Sequence, residues 1–120
     1  MNIGVRGKNG EDRVANFLRK NGFSVVFRNY QCRFGEIDII AEKGEYIIFV
    51  EVKTRKENSF VSPAEAVNSK KQQRMILTAE DYISKTECAL QPRFDVAEVT
   101  VSTKADGSEK YSLNYIKNAF

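Results

Sequence analysis

The chain has 120 residues, of which 42% are hydrophobic and 29% charged, and its formal net charge is +3. These values are typical of one globular domain that spans residues 1–120. The sequence contains no histidine and two cysteines, which excludes histidine-containing catalytic triads, zinc sites with histidine ligands and four-thiolate metal sites. An enzyme of this composition would have to use carboxylates, lysines, hydroxyl groups or a hard metal ion bound by oxygen.

Signals for a membrane or for export are not found in the sequence. No run of about 18 apolar residues could cross a bilayer, and the N-terminal residues lack the apolar core of a signal peptide. We therefore expect a cytoplasmic protein without a membrane partner, in which Cys32 and Cys88 stay reduced as structural thiols.

The charges are unevenly distributed along the chain. Residues 1–33 carry a balance of +5 and residues 55–75 a balance of +3, whereas residues 34–54 between them carry −3. This pattern is consistent with chance scatter on a solvated surface, and equally with an acidic metal site framed by a phosphate-binding surface.

The apolar pattern predicts elements in the order αβββαββ. The helices are expected at residues 6–21 and 62–84, and the strands at residues 23–27, 36–42, 45–52, 94–102 and 111–116. Gly22 would end the first helix in a left-handed conformation, and residues 105–108 would form a turn between the last two strands. This order predicts an α/β domain with a mixed central sheet of about five strands flanked by helices.

The second helix has a strong predicted start. Ser62 is placed as the N-cap, Pro63 as the first helical residue and Glu65 as the partner that completes a capping box. The residues expected to face inward from this segment are Val67, Ile76, Ala79, Tyr82 and Ile83.

The strands at residues 36–42 and 45–52 predict a hairpin with Lys43 and Gly44 as its turn. Residue i then opposes residue 87 − i, so that Asp38 opposes Phe49, Ile40 opposes Ile47 and Glu36 opposes Glu51. One face carries Glu36, Asp38, Ile40, Ile47, Phe49, Glu51 and Lys53. The other face, expected to be core, carries Ile37, Ile39, Ala41, Tyr46, Ile48, Val50 and Val52.

This register makes Asp38 and Glu51 diagonal neighbours about 7–8 Å apart, with Lys53 on the same side. Partly buried carboxylates are costly unless something compensates for them. One compensation is a salt bridge from Lys53 to both acids. The other is a divalent cation such as Mg²⁺ or Mn²⁺, which prefers oxygen ligands. With a cation, the cluster would suit phosphodiester hydrolysis, and Lys53 would position a water molecule or stabilise charge on phosphorus.

The string from Gly35 to Asp38, followed by Phe49-Val50-Glu51-Val52-Lys53, resembles the core of PD-(D/E)xK nucleases, with Ile-Asp in place of the usual Pro-Asp. A longer set of motifs over the whole chain resembles the YraN family of restriction-endonuclease-like bacterial proteins, which are similar to archaeal-type Holliday junction resolvases. These motifs are Gly10-Glu11, Gly22-Phe23, Arg28-Asn29-Tyr30, Gly35 to Ile39, Phe49 to Arg55, Arg93 to Val96 and Asn118 to Phe120.

The resemblance implies a restriction-endonuclease-like fold and a Mg²⁺- or Mn²⁺-dependent nuclease that cuts nucleic acid, in particular branched or single-stranded DNA. Asp38 and Glu51 would be metal ligands together with the backbone carbonyl of Val52, and Glu11 would join the site from the first helix. Lys53 would be the catalytic lysine. The resemblance to resolvases also implies a homodimer. A protein of the same fold that binds nucleic acid without cutting it is the alternative.

Further residues have two interpretations each. Lys70, Lys71 and Arg74 share one side of a helix, which is either a solvated face or a phosphate-binding surface; Arg55 and Lys56 would extend that surface, and Arg13 would line the opposite wall. The aromatic residues Tyr30, Phe34 and Phe60 are expected in loops, where they either stack on bases or pack at the edge of the core. Glu36 is either an acid beside the site or solvent-exposed. For Asp95, on an apolar strand, we expect a structural hydrogen-bonding role.

Overall fold

The structure, a computed structural model, describes residues 4–57 and 67–120, and in residues 4–8 it describes the helix backbone without the side chains. In these ranges the elements are α1 (Gly4–Lys20), β1 (Ser24–Cys32), β2 (Gly35–Lys43), β3 (Tyr46–Lys56), α2 (Ser69–Thr86), β4 (Gln91–Thr103) and β5 (Glu109–Ile116). The predicted order αβββαββ and the mixed α/β class are confirmed for the described part of the chain.

The five strands form one sheet in the order β1-β2-β3-β4-β5. Neighbours are antiparallel except β3 and β4, which are parallel and are joined by the crossover that contains α2. Alternate residues of β3 pack into two cores, Ile48 and Val50 with α1, and Ile47 and Phe49 with α2. The two helices therefore cover opposite faces of the sheet.

The end of α1 follows the prediction. Gly22 has a φ of 85°, its N–H donates to the carbonyl of Arg19, and the N–H of Phe23 donates to the carbonyl of Leu18 at 2.9 Å. This pair of bonds is the Schellman motif that a glycine beyond the last turn allows. It directs the chain from the fully buried Leu18 into β1.

Strand β1 is longer than predicted, because β2 offers it a pairing partner as far as Cys32 opposite Gly35. Tyr30, expected in a loop, therefore lies within β1 opposite Ile37. Its ring centre lies 5.2 Å from that of Tyr82 on α2, so Tyr30 packs at the core edge.

The start of the second helix is corrected. The expected capping box at residues 62–65 lies outside the described residues, but Val67 and Asn68 are not helical, so one helix over 62–84 is wrong. Helix α2 begins at Ser69, where the side chain of Asn68 accepts a hydrogen bond from the N–H of Lys71 at 2.9 Å.

The inward face of α2 is also rotated from the expected one. Ile76 is 39% exposed, so its prediction as a core residue is wrong. The buried stripe of the helix consists of Met75, Thr78, Ala79 and Tyr82, a spacing that places Ile76 on the outer side.

The register of the β2–β3 hairpin differs from the prediction by two residues. Lys43 opposes Tyr46 and Ile40 opposes Phe49, so the loop is Gly44 and Glu45, with Gly44 at a φ of 60°. A shift by an even number leaves each side chain on its predicted face. Ile37 is the exception, since it packs in the core beneath α2.

Candidate active site

The hairpin opens beyond Ile39 and Val50, the last paired residues of β2 and β3. From there β2 stays paired with β1 as far as Gly35, and β3 stays paired with β4 to its end. In the gap, Oδ2 of Asp38 accepts a hydrogen bond from the N–H of Val52 at 2.8 Å. The Asp38 side chain thus replaces a main-chain partner and lies between the two strands.

The environment of Asp38 disfavours its charge. Among the described residues, no basic side chain forms an ion pair with its carboxylate within 4.0 Å. Burial is the main cause that raises the pKa of Asp38 to about 8; the nearby Glu51 also raises it, the Val52 hydrogen bond lowers it, and Glu11 and Glu36 add smaller increases. Burial and the nearby acids thus disfavour the ionised form of Asp38, and no described cation offsets them.

Glu51, by contrast, is 5% exposed and has two cationic partners. Its Oε2 lies 3.2 Å from Nζ of Lys53 and 3.5 Å from Nζ of Lys71. Lys53 therefore pairs with Glu51 and not with Asp38, so the salt bridge to both acids is not observed. The contact of Lys71 with Glu51 was not predicted, because the position of α2 over the sheet cannot be read from a single sequence.

Helix α1 contributes Glu11, which is 6% exposed. Its Oε1 lies 3.5 Å from Nη2 of Arg28 on β1, and the same nitrogen contacts Oδ1 of Asp12 at 2.9 Å. Burial raises the pKa of Glu11, against the effect of Arg28, which lowers it. Arg28 was not singled out from the sequence, although it stands in one of the motifs quoted above; only the packing of α1 on β1 shows its role.

A glycine brings this part of α1 close to the sheet. An added Cβ on Gly10 would lie 2.3 Å from Oγ1 of Thr54 on β3, which is far inside van der Waals contact. The close approach that Gly10 permits places the next residue, Glu11, near enough to Asp38 for their charges to interact.

We call the gap between β2 and β3 beyond Ile39 and Val50 the split. The donor atoms at the split are oxygen atoms of the kind that hold a hard cation. In a strand the N–H and C=O of one residue point to the same side, so the carbonyl of Val52 faces the split as its N–H does. Within residues 4–57 and 67–120, no three Asp, Glu or Cys side chains are placed to hold a metal ion by themselves. A cation here would combine Asp38 and Glu51 with main-chain and water oxygens, a donor set that suits Mg²⁺ or Mn²⁺.

Glu11 remains paired with Arg28 and does not complete a three-carboxylate cluster in the part of the chain that is described. Glu36 is exposed and accepts a hydrogen bond from Gln31 at 2.7 Å. Of the two interpretations of Glu36, the structure therefore supports a solvent-exposed acid whose charge reaches the site.

A cleft of about 550 Å³ lies beside the split, between the β1–β2 turn and the first turns of α2. Its lining includes Arg33, Phe34, Lys71 and Arg74, and the guanidinium of Arg33 lies 4.8 Å from the centre of the Phe34 ring. Lys71 connects this cleft to Glu51. The predicted pair Lys71 and Arg74 is thus brought next to the site, together with Arg33, which was not predicted.

The other predicted phosphate contacts do not line this cleft. Lys70 is exposed on α2, and the half-buried Arg55 and exposed Lys56 follow Lys53 at the end of β3. Arg13 lies on the opposite side of the sheet, with its guanidinium 3.9 Å from the centre of the Tyr111 ring. Phe60, the other aromatic candidate, lies outside the described residues.

Asp95 has the structural role expected of it. It is fully buried and accepts two hydrogen bonds from Arg93 at 3.0 and 2.9 Å, one from the hydroxyl of Tyr115 and one from the N–H of Asn118. This network attaches the C-terminal residues to β4.

No helix in the described ranges is long and apolar enough to cross a membrane. A family model described as "Uncharacterised protein family UPF0102" matches residues 10–99. Proteins named "UPF0102 protein" are similar over the full length of both chains in Caldicellulosiruptor saccharolyticus, at 40% identity, and in Dictyoglomus turgidum, at 44%. In Clostridium perfringens such a protein is 47% identical over 92% of this chain and 89% of its own length. The chain therefore belongs to the UPF0102 family, as its resemblance to YraN proteins indicated.

Proposed function

We propose that this protein is a metal-dependent nuclease with a restriction-endonuclease-like core of the PD-(D/E)xK type, and that it cuts DNA. The observation that carries the proposal is the position of Asp38. Its carboxylate is held between two strands beside Glu51, and no described basic side chain compensates its charge. Such an arrangement is unfavourable for folding alone, and it is favourable once a divalent cation is present.

In this proposal Asp38, Glu51 and the carbonyl of Val52 hold Mg²⁺ or Mn²⁺. The bound cation would polarise a phosphodiester oxygen and acidify a water molecule. Lys53, whose ammonium lies 3.2 Å from Glu51, is placed to orient the attacking water or to stabilise negative charge that develops on the phosphate. Glu11 adds negative charge from the side of α1, and Arg28 holds its carboxylate in place.

The cleft beside α2 supplies the contact surface for the nucleic acid. Arg33, Lys71 and Arg74 line it, and basic side chains bind the phosphate backbone without reading its sequence. The ring of Phe34 in the same cleft offers a surface on which an unpaired base can stack. This combination favours DNA with single-stranded or branched segments over regular duplex.

One observation favours a second function, nucleic-acid binding without cleavage. Two lysines already neutralise Glu51 through its Oε2, and a cation bound at that oxygen would compete with them. A protein that had lost its activity could keep this ion-paired state permanently.

The test is cleavage of linear, branched and single-stranded DNA and RNA with Mg²⁺ or Mn²⁺, by the wild type and by Glu51→Ala and Lys53→Ala. Lys104→Ala, in the exposed β4–β5 turn, is the matched control. We expect cleavage by the wild type and the control, and its loss in both site variants. Binding without cleavage under every metal condition would contradict the nuclease and support the binding protein.

A further inference from the structure

A second pocket, of about 490 Å³, opens at the opposite end of the sheet, on the face covered by α1. We call it the distal pocket; the lining residues that matter here are Phe23, Lys43, Tyr46, Arg93, Tyr115 and Lys117. Tyr46 begins β3 and precedes Glu51 by five residues, or about 16 Å of strand. The volume is typical of small-molecule sites, and the proposed nuclease centre uses none of these residues.

Planar groups form the walls of the distal pocket. The guanidinium carbon of Arg93 lies 5.2 Å from the centre of the Tyr46 ring and 6.0 Å from that of Phe23, and the Phe23 and Tyr115 rings meet edge-on at 6.3 Å. Tyr46 is 37% exposed, so part of its ring stays open to solvent. Open aromatic surfaces of this kind stack readily on planar rings such as nucleobases.

Two polar groups in the wall of the pocket, those of Arg93 and Tyr115, are fixed in position. Arg93 is 8% exposed and donates two hydrogen bonds to the fully buried Asp95. Asp95 also accepts the hydroxyl of Tyr115. A ligand would therefore meet a preorganised wall, which lowers the entropic cost of binding.

The charge of the pocket favours an anion. Arg93 is balanced by Asp95, and the remaining charges of the lining are those of Lys43, Lys117 and Glu45, a net charge of about one positive. The ammonium of Lys43 lies 4.9 Å from the centre of the Phe23 ring and donates to one backbone carbonyl, which leaves two of its three protons for a ligand.

We propose that the distal pocket binds a nucleotide, with the base stacked on Tyr46 and the phosphate paired with Lys43 and Lys117. An aromatic wall and two lysines in the same lining match the two parts of this ligand. The site is separate from the nuclease centre and does not depend on its activity. A free mononucleotide and the 5′-phosphorylated end of a strand present the same chemistry.

The test is a titration of the ¹⁵N-labelled protein, followed by amide NMR, with adenosine 5′-monophosphate, adenosine, inorganic phosphate and a short 5′-phosphorylated oligonucleotide. We expect the mononucleotide to shift the amides of residues 43–46, 93 and 115–117 and to leave those of residues 36–38 and 51–53 unchanged. Tighter binding of the oligonucleotide would identify a strand end as the source, and equal binding a free nucleotide.

Variants test the contacts of the base and of the phosphate separately. Tyr46→Ala should weaken mononucleotide binding at least about fivefold, the loss expected for one stacked base, whereas Tyr46→Phe keeps the ring and should bind as the wild type does. Lys43→Ala with Lys117→Ala should abolish the preference for the mononucleotide over adenosine. Lys53→Ala, at the other end of β3, should bind the mononucleotide normally even if it has lost nuclease activity.

Three results would overturn the proposal. These are the absence of saturable shifts up to about 5 mM ligand, shifts confined to residues 51–53, and equal affinity of adenosine and the mononucleotide in the wild type. Failure of the nuclease assay would leave this result unaffected, since the two sites share no residue.

Discussion

Replacing Asp38 by asparagine should stabilise the metal-free protein at alkaline pH. The amide keeps an oxygen that can accept the Val52 N–H and removes the charge that the site disfavours. The folded-state pKa is raised from 3.8 to about 8, so below about pH 4 Asp38 is protonated in both the folded and the unfolded states and costs no stability. As the pH rises from there through 8, the unfolded chain loses this proton more readily than the folded protein does, and the free energy of unfolding falls. The wild type should thus lose stability over this range relative to Asp38→Asn.

The size of the effect follows from the pKa. A tenfold change in proton affinity corresponds to about 1.4 kcal/mol, so the full change from 3.8 to about 8 sets an upper bound of roughly 6 kcal/mol. Rearrangement of the lysines beside Glu51 toward Asp38 would reduce it. We expect a difference of about 2 kcal/mol between pH 5 and pH 9, or roughly 8 °C in the melting temperature of a domain of this size.

The assay is thermal unfolding in EDTA at pH 5, 7 and 9, with Asp106→Asn as control. Hydrogen bonds from Ser108 lower the pKa of the exposed Asp106. The Asp106→Asn control should therefore gain no stability relative to the wild type as the pH rises from 5 to 9. Parallel pH profiles for the wild type and Asp38→Asn would refute the reasoning. Under the proposed function, Mg²⁺ or Mn²⁺ at pH 8 should raise the melting temperature of the wild type and not that of Asp38→Asn.

Three further predictions concern the packing of α1 on β3, the Asp95 network and the cleft beside α2. Gly10→Ala should destabilise the protein by about 1–2 kcal/mol in urea despite its better helix propensity, because the new methyl group meets Thr54; adding Thr54→Ala should restore most of the loss, and an unchanged loss would contradict this contact. Asp95→Asn should lower the free energy of unfolding in urea by about 3 kcal/mol, since it leaves a buried guanidinium without its charge partner. Hydrogen exchange of this variant should show the C-terminal residues opening first. A loss below about 1 kcal/mol would be inconsistent with the structural role of Asp95. Arg74→Ala should weaken DNA binding equally for all sequences and reduce the slope of the binding constant against salt concentration, on logarithmic scales, by about one. Fluorescence anisotropy measures both effects, with Lys104→Ala as control. A loss that depends on the DNA sequence would argue against a phosphate contact.

Local sequence signals determined much of the fold. The order of the elements, the Gly22 cap and the charged face with Asp38, Glu51 and Lys53 all follow from periodicity and turn residues. The hairpin register was wrong because Gly44 occupies the first position of the loop instead of the second, a choice between two turns that the residue types do not decide. The error was even-numbered, so the faces were still correct, except that of Ile37.

The features that were missed depend on tertiary packing. Strands β2 and β3 separate at Asp38 while each stays paired with its outer neighbour, β1 or β4, and no local pattern predicts where that separation begins. The contacts of Lys71 with Glu51 and of Arg28 with Glu11 likewise depend on how each helix lies across the sheet. The apolar pattern also predicted Ile76 in the core, and the buried stripe of α2 excludes it.

The hydrogen bond between Val52 and Asp38 gives the site a spectroscopic reporter. Neighbouring amides of β3 alternate between its two sides, so those of Glu51 and Lys53 point toward β4, whereas that of Val52 binds only the Asp38 carboxylate. The chemical shift and solvent exchange of this single proton should follow the state of that carboxylate. Ionisation of Asp38 can then be observed in the resting protein. Under the proposed function, the same proton would also report cation binding and substrate docking before any bond in a substrate is broken.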